Sequence, residues 1–154
     1  TVRQQPAGHP MDFTTAVVTC FAKYATFSGR ARRAELWWFA LFNFGVLAIL
    51  SVIDMGFGAP HRWMAGEGGP SPVGTLYWLA VLLPSIAVTV RRLHDTDRSG
   101  WWILIEFVPL VGPLVLIWFL VTPGTTGPNR FGPDPLGPPP EDVQPSSLPR
   151  VPRR

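Results

Sequence analysis

Three long apolar runs without a polar stripe constrain this chain more than anything else in it. Residues 36–53 (LWWFALFNFGVLAILSVI) and 73–90 (VGTLYWLAVLLPSIAVTV) carry no charge, and 101–121 (WWILIEFVPLVGPLVLIWFLV) carries one, Glu106. As helices, the first two would span about 27 Å and the third about 31 Å. The hydrocarbon slab of a bilayer is about 30 Å thick and calls for about 17–25 apolar residues. A helix closes its own backbone hydrogen bonds, which lipid cannot do, so helix is the expected state of each run. Buried helices of a soluble protein would show polar stripes on at least two of the runs; these are apolar all round. A chain of 154 residues is too small to bury three such helices in one core. Only 15% of the residues are charged, against about 25% in soluble domains. A signal peptide does not account for the first run, because 35 residues precede it and two further spans remain. Cys20 is the sole cysteine, which excludes a disulfide scaffold.

The expected fold is therefore an all-α membrane protein with three transmembrane helices, an N-terminal amphipathic interfacial helix and a disordered Pro-rich tail. The chain divides into an extension at 1–10, a membrane domain at 11–135 with spans at about 36–53, 73–90 and 101–121, and a tail at 136–154. Basic residues near span ends set orientation. Lys23, Arg30, Arg32 and Arg33 precede the first span, and Arg91, Arg92 and Arg98 lie between the second and third. Near the span ends, Arg62 and Arg130 alone fall on the other side. This bias predicts a cytoplasmic N-terminus and a cytoplasmic 91–100 loop. The 54–72 loop and the C-terminal tail are then predicted outside. Pro109, Gly112 and Pro113 interrupt the third run. A re-entrant hairpin would return the tail to the cytoplasm, but each arm of about ten residues is too short to cross. A kinked single span is the expectation, since transmembrane helices tolerate Pro.

Phe13, Val17, Cys20, Phe21, Tyr24 and Phe27 form an apolar helical stripe, with Asp12, Thr15, Thr19, Lys23 and Thr26 opposite. Such a helix lies on the cytoplasmic surface of the bilayer, or packs on the rest of the protein. Cys20 within the stripe reads as a small hydrophobe. The tail from Pro123 holds ten Pro in 32 residues and is expected to be extended and solvated. Its end, PRVPRR, fits polyproline-binding domains only loosely.

Two segments share a layout: FSGRARRAELWW (27–38) leads into the first span, and RRLHDTDRSGWW (91–102) leads from the second into the third. Arg30, Arg32, Arg33, Arg91, Arg92 and Arg98 therefore gather in one interfacial layer with Glu35, His94, Asp95, Asp97, Trp37, Trp38, Trp101 and Trp102. Three readings stay open. Trp belts and snorkelling arginines anchor helices at the interface. Arg32 with Glu35, Arg91 with Asp95 and His94 with Arg98 are spaced for helical pairing, and cross-pairs between the segments would clamp the helices. Guanidinium forks suit phosphate, and about 1 kcal/mol per basic residue near anionic lipid would hold phospholipid headgroups. The layer is thus expected to contact anionic phospholipid or a membrane-protein partner, a second copy included, and no nucleic acid.

Glu106 lies inside the third run, where a charge costs roughly 2.5–3.5 kcal/mol at the centre of the span and less near its rim. It is expected to face the bundle, with Arg91, Arg92 or Arg98 as partner. Asn43 in the first run reads as interhelical hydrogen-bond glue. Glu106 and Asn43 could instead serve an oligomeric small transporter or channel component. Catalysis is poorly supported: adjacent His94 and Asp95 point about 100° apart on a helix, and no catalytic motif occurs. With one Cys and three scattered His, neither a metal nor a cofactor is expected. A membrane-interface enzyme using His94 and Asp95 is the remaining rival.

GR-x-x-R-x-E-x-W-W (29–38), RRLHD-x-x-RSGWW (91–102) and G-x-x-G-x-NRFG-x-D-P (124–135) stand in order along the chain. Together they resemble the domain of unknown function 805 family of small bacterial inner-membrane proteins, over about residues 11–135. The resemblance implies a multi-pass cytoplasmic-membrane protein without assigned activity or catalytic residues. In the third motif Gly124, Gly127, Asn129 and Gly132 suit tight turns, after which Arg130 could reach headgroups.

Overall fold

The computed structural model describes residues 11–56 and 72–137. The expectations for the 1–10 extension, the centre of the 54–72 loop and the chain beyond 137 lie outside the described residues. In order come α1 (Phe13–Ala22), α2 (Arg33–Gly56), α3 (Pro72–Asp95), a 3₁₀ helix (Gly100–Phe107) and α4 (Val111–Val121). Among the described residues there is no strand, only one isolated antiparallel bridge between Asn129 and Gly132.

Asp12 starts α1 by accepting a hydrogen bond from the Thr15 amide at 3.1 Å, which satisfies one of the free N–H groups of the first turn. The apolar stripe then packs on α2. Phe13 meets Trp38 edge-on at 5.8 Å, and Phe21 meets Phe39 at 5.5 Å and Phe42 at 6.0 Å. The Trp38 indole donates to the Met11 carbonyl at 3.2 Å. The helix thus packs on the rest of the protein, while Phe13, Val18 and Phe21 stay partly exposed.

Among the described residues, two helices are long and apolar enough to cross a membrane, Arg33–Met55 and Pro72–Asp95. Both outrun their apolar runs at the charged end, because Arg33, Glu35 and Arg91–Asp95 are helical rather than loop. In their most apolar stretches only 11% and 28% of residues are buried, which suits helices seated in lipid better than helices of a soluble core. Asn43 and Tyr77 join them: the Tyr77 hydroxyl donates to Asn43 Oδ1 at 2.8 Å.

Pro84 sits inside α3. It has no N–H, so the carbonyl four residues earlier loses its helical donor. That carbonyl belongs to Ala80, and the Tyr24 hydroxyl donates to it at 2.5 Å. The connection after α1 therefore closes a gap that the α3 sequence opens. Cys20, Ala31, Leu36, Phe39, Val88, Leu93, Leu116 and Leu120 form the buried core, at the end of the molecule where the arginines lie.

The third run does not form one kinked span. It folds as the 3₁₀ helix Gly100–Phe107, a reversal at Val108–Leu110 and α4. Trp102 stacks edge-on against Phe119 at 5.4 Å, and the Arg98 guanidinium lies 4.2 Å from the Phe119 ring centre. Farther along the arms, a Cβ on Gly112 would stand 1.8 Å from the Ile105 carbonyl oxygen. These pairs converge on residues 109–110, as they do in an antiparallel hairpin. At the apex the Val111 amide donates to the Pro109 carbonyl at 2.8 Å, and Leu110 takes φ +66° and ψ −52°. This is the rare, strained form of the γ-turn. Pro109 fixes the approach, Gly112 permits the contact, and Pro113 falls in the first turn of α4, where a missing N–H costs little.

Candidate functional site: a buried arginine layer

The C-terminal turn of α3 organises the site. A helix ends with carbonyls that lack intrahelical donors, and here other segments supply them. The Ala31 amide donates to the Arg91 carbonyl at 3.0 Å, and the Thr125 amide donates to the Asp95 carbonyl at 2.9 Å. The Asn129 side chain donates to the His94 carbonyl at 2.9 Å. Asp97, at φ +55°, completes a Schellman stop: its amide donates to His94 and the Arg98 amide to Leu93, both at 3.0 Å.

Within this frame the charged side chains interlock. The Arg30 Nε donates to Asp95 Oδ1 at 2.8 Å, and its two terminal nitrogens donate to the carbonyls of Gly127 at 2.6 Å and Thr125 at 2.5 Å. Arg92 donates to Asp95 Oδ2, to the Thr122 carbonyl, and to the Leu120 carbonyl at 3.1 Å. Arg91 pairs with Glu35 across α3 and α2. Arg91 and Arg92 are 1% and 0% exposed. Arg91 Nε and Nη2 are buried without a hydrogen-bond partner among the described residues. Among the described residues the buried charges are Arg30, Arg91 and Arg92 against Glu35 and Asp95. The excess cation meets the carbonyl ends of α3 and α4, which carry partial negative charge. Gly124 is required here for space, since a Cβ would stand 2.1 Å from Asp95 Oδ2.

Of the spaced pairs, Arg91 with Asp95 is replaced, and the cross-pairs between the two segments form. Arg91 takes Glu35 rather than Asp95, and Asp95 takes Arg92 three residues before it and Arg30 sixty-five residues before it. Arg32 reaches the Pro135 carbonyl at 2.7 Å. His94 stacks on Phe131 at 3.9 Å and sets Nδ1 3.2 Å from the Gly29 carbonyl. Against a carbonyl that nitrogen donates. His94 and Asp95 thus serve different partners, and this arrangement holds no proton-transfer dyad. Arg130, which the sequence left free to reach headgroups, pairs with exposed Asp97 at 3.1 Å and stays largely accessible. Asp134 accepts from the Gly127 amide at 2.9 Å and the Leu136 amide at 2.8 Å. Those bonds, with Leu136 the larger influence, hold its carboxyl below the usual aspartate value. The glycine-rich motif does form tight turns, with Gly127 at φ +75° and Gly132 at φ +144°.

Glu106 is exposed on the 3₁₀ helix, while Arg91 and Arg92 are engaged with Glu35 and Asp95; the expected inward-facing pair is absent because its arm turns back. Asn43 is occupied by Tyr77 and the Phe39 carbonyl. Arg33 is exposed and Arg98 half-buried, with Trp37, Trp38, Trp101 and Trp102 exposed around them. A shallow cleft of about 300 Å³ is lined by Ser99, Trp101, Trp102 and Ile105.

The sequence reasoning missed the carbonyls of Leu120, Thr122, Thr125 and Gly127 as arginine partners, because a predicted span placed them across the membrane. Cys20, read as a small hydrophobe, does lie in the buried core; what the reasoning missed is its contact, the sulfur lying 4.0 Å from Glu35 Oε1. Burial, followed by the Glu35 charge beside it, pushes that thiol up to about 12. No sequence signal marks the thiol, since its partner is fifteen residues away.

The chain is 49% identical over 108 residues to "Inner membrane protein YhaI" of Escherichia coli strain K12, covering 70% of this chain and 84% of that one. It is 46% identical over 108 residues to "Inner membrane protein YhaH" of the same strain, covering 70% and 85%. It is 34% identical over 85 residues to "Uncharacterized protein YiiR", covering 54% and 50%. No solved structure matches it significantly. The arginines, Asp95 and glycines of the layer all lie between residues 24 and 133, the stretch that matches the family model described as "Protein of unknown function (DUF805)", and the chain belongs to that family.

Proposed function

We propose that this chain is a non-enzymatic, multi-pass protein of the bacterial inner membrane, with α2 and α3 spanning the bilayer and the N-terminus in the cytoplasm. Its buried arginines act as a structural clamp, and the rim of the same layer contacts anionic phospholipid. The observation that carries this reading is the division of labour within the layer. Arg30 and Arg92 spend their donors inside the protein, and Arg91 is buried against Glu35. Arg33 and Arg98 have no carboxylate partner among the described residues and stand among four exposed tryptophans. Trp at the headgroup level beside guanidinium groups that no carboxylate neutralises is an arrangement that suits phosphodiester headgroups. The names of the inner-membrane relatives and the poor burial of α2 and α3 support the location.

The test is native mass spectrometry of the chain from mixed micelles of phosphatidylglycerol and phosphatidylcholine. Retained phosphatidylglycerol that falls several-fold in the Arg33→Ala/Arg98→Ala double variant supports the reading. Equal retention of the two lipids, or unchanged retention in the double variant, overturns the lipid contact.

A further inference from the structure

The hairpin made by the 3₁₀ helix and α4 leaves its apex and outer faces uncovered. Phe107 is 83% exposed and Leu110 84%, with Leu114 and Trp118 exposed along the second arm. Both ends of this hairpin are tied to the same layer. The entrance follows the α3 stop at His94–Arg98. At the exit, the Leu120 and Thr122 carbonyls accept from Arg92, the Thr125 and Gly127 carbonyls accept from Arg30, and Arg130 pairs with Asp97. A straight span would put residue 122 about 30 Å from residue 101 along the membrane normal, which these bonds do not allow. Each arm, at about 2.0 Å per residue for the eight-residue 3₁₀ helix and 1.5 Å for the eleven-residue α-helix, reaches about 16 Å. That is half the thickness of the hydrocarbon slab. Trp101 and Trp102 stand at one mouth of the hairpin and Trp118 near the other, where interfacial aromatics belong.

We infer that the third apolar run is a re-entrant wedge seated among the acyl chains of one leaflet, the leaflet adjoining the arginine layer. Residues 122–137 then lie on the same side of the membrane as residues 23–35. The apolar outer faces are covered by lipid tails, and the exposed Glu106 is the one charge that the wedge carries. The helices pair backbone groups along both arms, and the apex adds the bonds Val108 amide to Ile105, Val111 amide to Pro109 and Gly112 amide to Val108, which lowers the cost of placing the turn in hydrocarbon. This inference rests on the membrane reading above and is independent of the lipid-headgroup contact.

Single cysteines in a Cys20→Ala background test it, at Ser28, Gly68, Leu110 and Thr126, in right-side-out and inverted membrane vesicles treated with a membrane-impermeant maleimide. Carbonate-washed vesicles that retain the chain secure the membrane reading separately. Thr126→Cys is expected to label from the same face as Ser28→Cys and from the opposite face to Gly68→Cys. Leu110→Cys is expected to label from either face at least about tenfold more slowly than Thr126→Cys, as a thiol removed from water does. Labelling of Thr126→Cys together with Gly68→Cys overturns the re-entrant path. Rapid labelling of Leu110→Cys overturns the seat in the leaflet. Should the Cys20→Ala background fail to accumulate, protease access to a C-terminal tag on the unaltered chain in the same vesicles decides the path: cleavage from the face that exposes Ser28 supports it, and cleavage from the other face overturns it.

Discussion

Replacing Asp95 by Asn is the sharpest single perturbation of the layer. The side chain keeps its size, but the one carboxylate shared by two buried guanidinium groups becomes neutral. Asp95 Oδ1 accepts from Arg30 at 2.8 Å, and Oδ2 accepts from Arg92. Arg30, Arg92 and Asp95 are all buried. Removing one partner of a buried pair costs about 3–5 kcal/mol, because the remaining charge stays desolvated and uncompensated. Here two cations lose their counter-ion together, so the upper part of that range is expected. Such a loss approaches the whole stability of a small domain, about 5–15 kcal/mol. The matching exposed pair is the control: Arg130 and Asp97 side chains are 61% and 48% accessible, and Asp97→Asn should cost about 0.2–1 kcal/mol. Unfolding of both variants and the parent in one detergent, by urea or by SDS titration, measures the difference. A double-mutant cycle of Arg30→Gln with Asp95→Asn should be non-additive by about 0.5–3 kcal/mol, as groups in one network are. If Asp95→Asn costs no more than Asp97→Asn, the layer is solvated and the clamp does not exist.

Leu110→Gly is expected to stabilise the chain by roughly 1 kcal/mol, since a non-glycine residue in this positive-φ region carries a penalty of about 1–3 kcal/mol and the exposed leucine loses little packing. In a straight helix the same change would destabilise by about 1 kcal/mol, so the sign measured by detergent unfolding decides between the two backbones. Tyr24→Phe should cost about 1–3 kcal/mol by leaving the Ala80 carbonyl unpaired; in a Pro84→Ala background, where residue 84 again has an N–H, the same change should cost markedly less, and equal costs in both backgrounds would refute the compensation. The Cys20 thiol is raised from 9.0 to about 12 chiefly by burial, so its neutral form is favoured by folding. That stabilisation is complete below pH 9.0 and is lost as pH rises towards about 12; Cys20→Ala should flatten the alkaline fall in stability over that window, and maleimide should label the folded parent slowly and the denatured chain fast.

What was legible in the sequence follows from what each signal measures. Uncharged length identifies apolar helices, and α2 and α3 fall where the first two runs are. Helical periodicity identified the apolar face of α1, although Phe21 meeting Phe39 and Phe42 needed the tertiary structure to be seen. Co-location of the two Arg/Trp segments was readable, because both abut the same ends of adjacent spans. The pairing within the layer was not: helical spacing offers Arg91 to Asp95, but the C-terminal turn of α3 faces the 30–35 segment, and long-range geometry gives Arg91 to Glu35 instead.

The third run shows why length alone misled. A run of twenty-one residues with one charge, Glu106, is equally suited by length to one crossing or to two half-depth arms, since both present nearly the same apolar groups to lipid. Arms of ten residues are indeed too short to cross, but re-entry does not ask them to. The features that decide the matter are small in sequence and large in space: Gly112, which alone admits the Ile105 carbonyl; Pro109, whose carbonyl closes the γ-turn; and Gly124, which lets the returning chain pass against Asp95. The deciding energy lies elsewhere still. A guanidinium buried in the layer must find acceptors for its N–H groups or forfeit about 1–3 kcal/mol for each donor left unmet. Asp95 supplies too few for Arg30 and Arg92 together. The carbonyls of residues 120–127 supply the rest, and only a run that turns back can bring them there. The three motifs are therefore one structural unit: the first supplies Arg30 and Glu35, the second Arg91, Arg92 and Asp95, and the third the backbone that completes their hydrogen bonding.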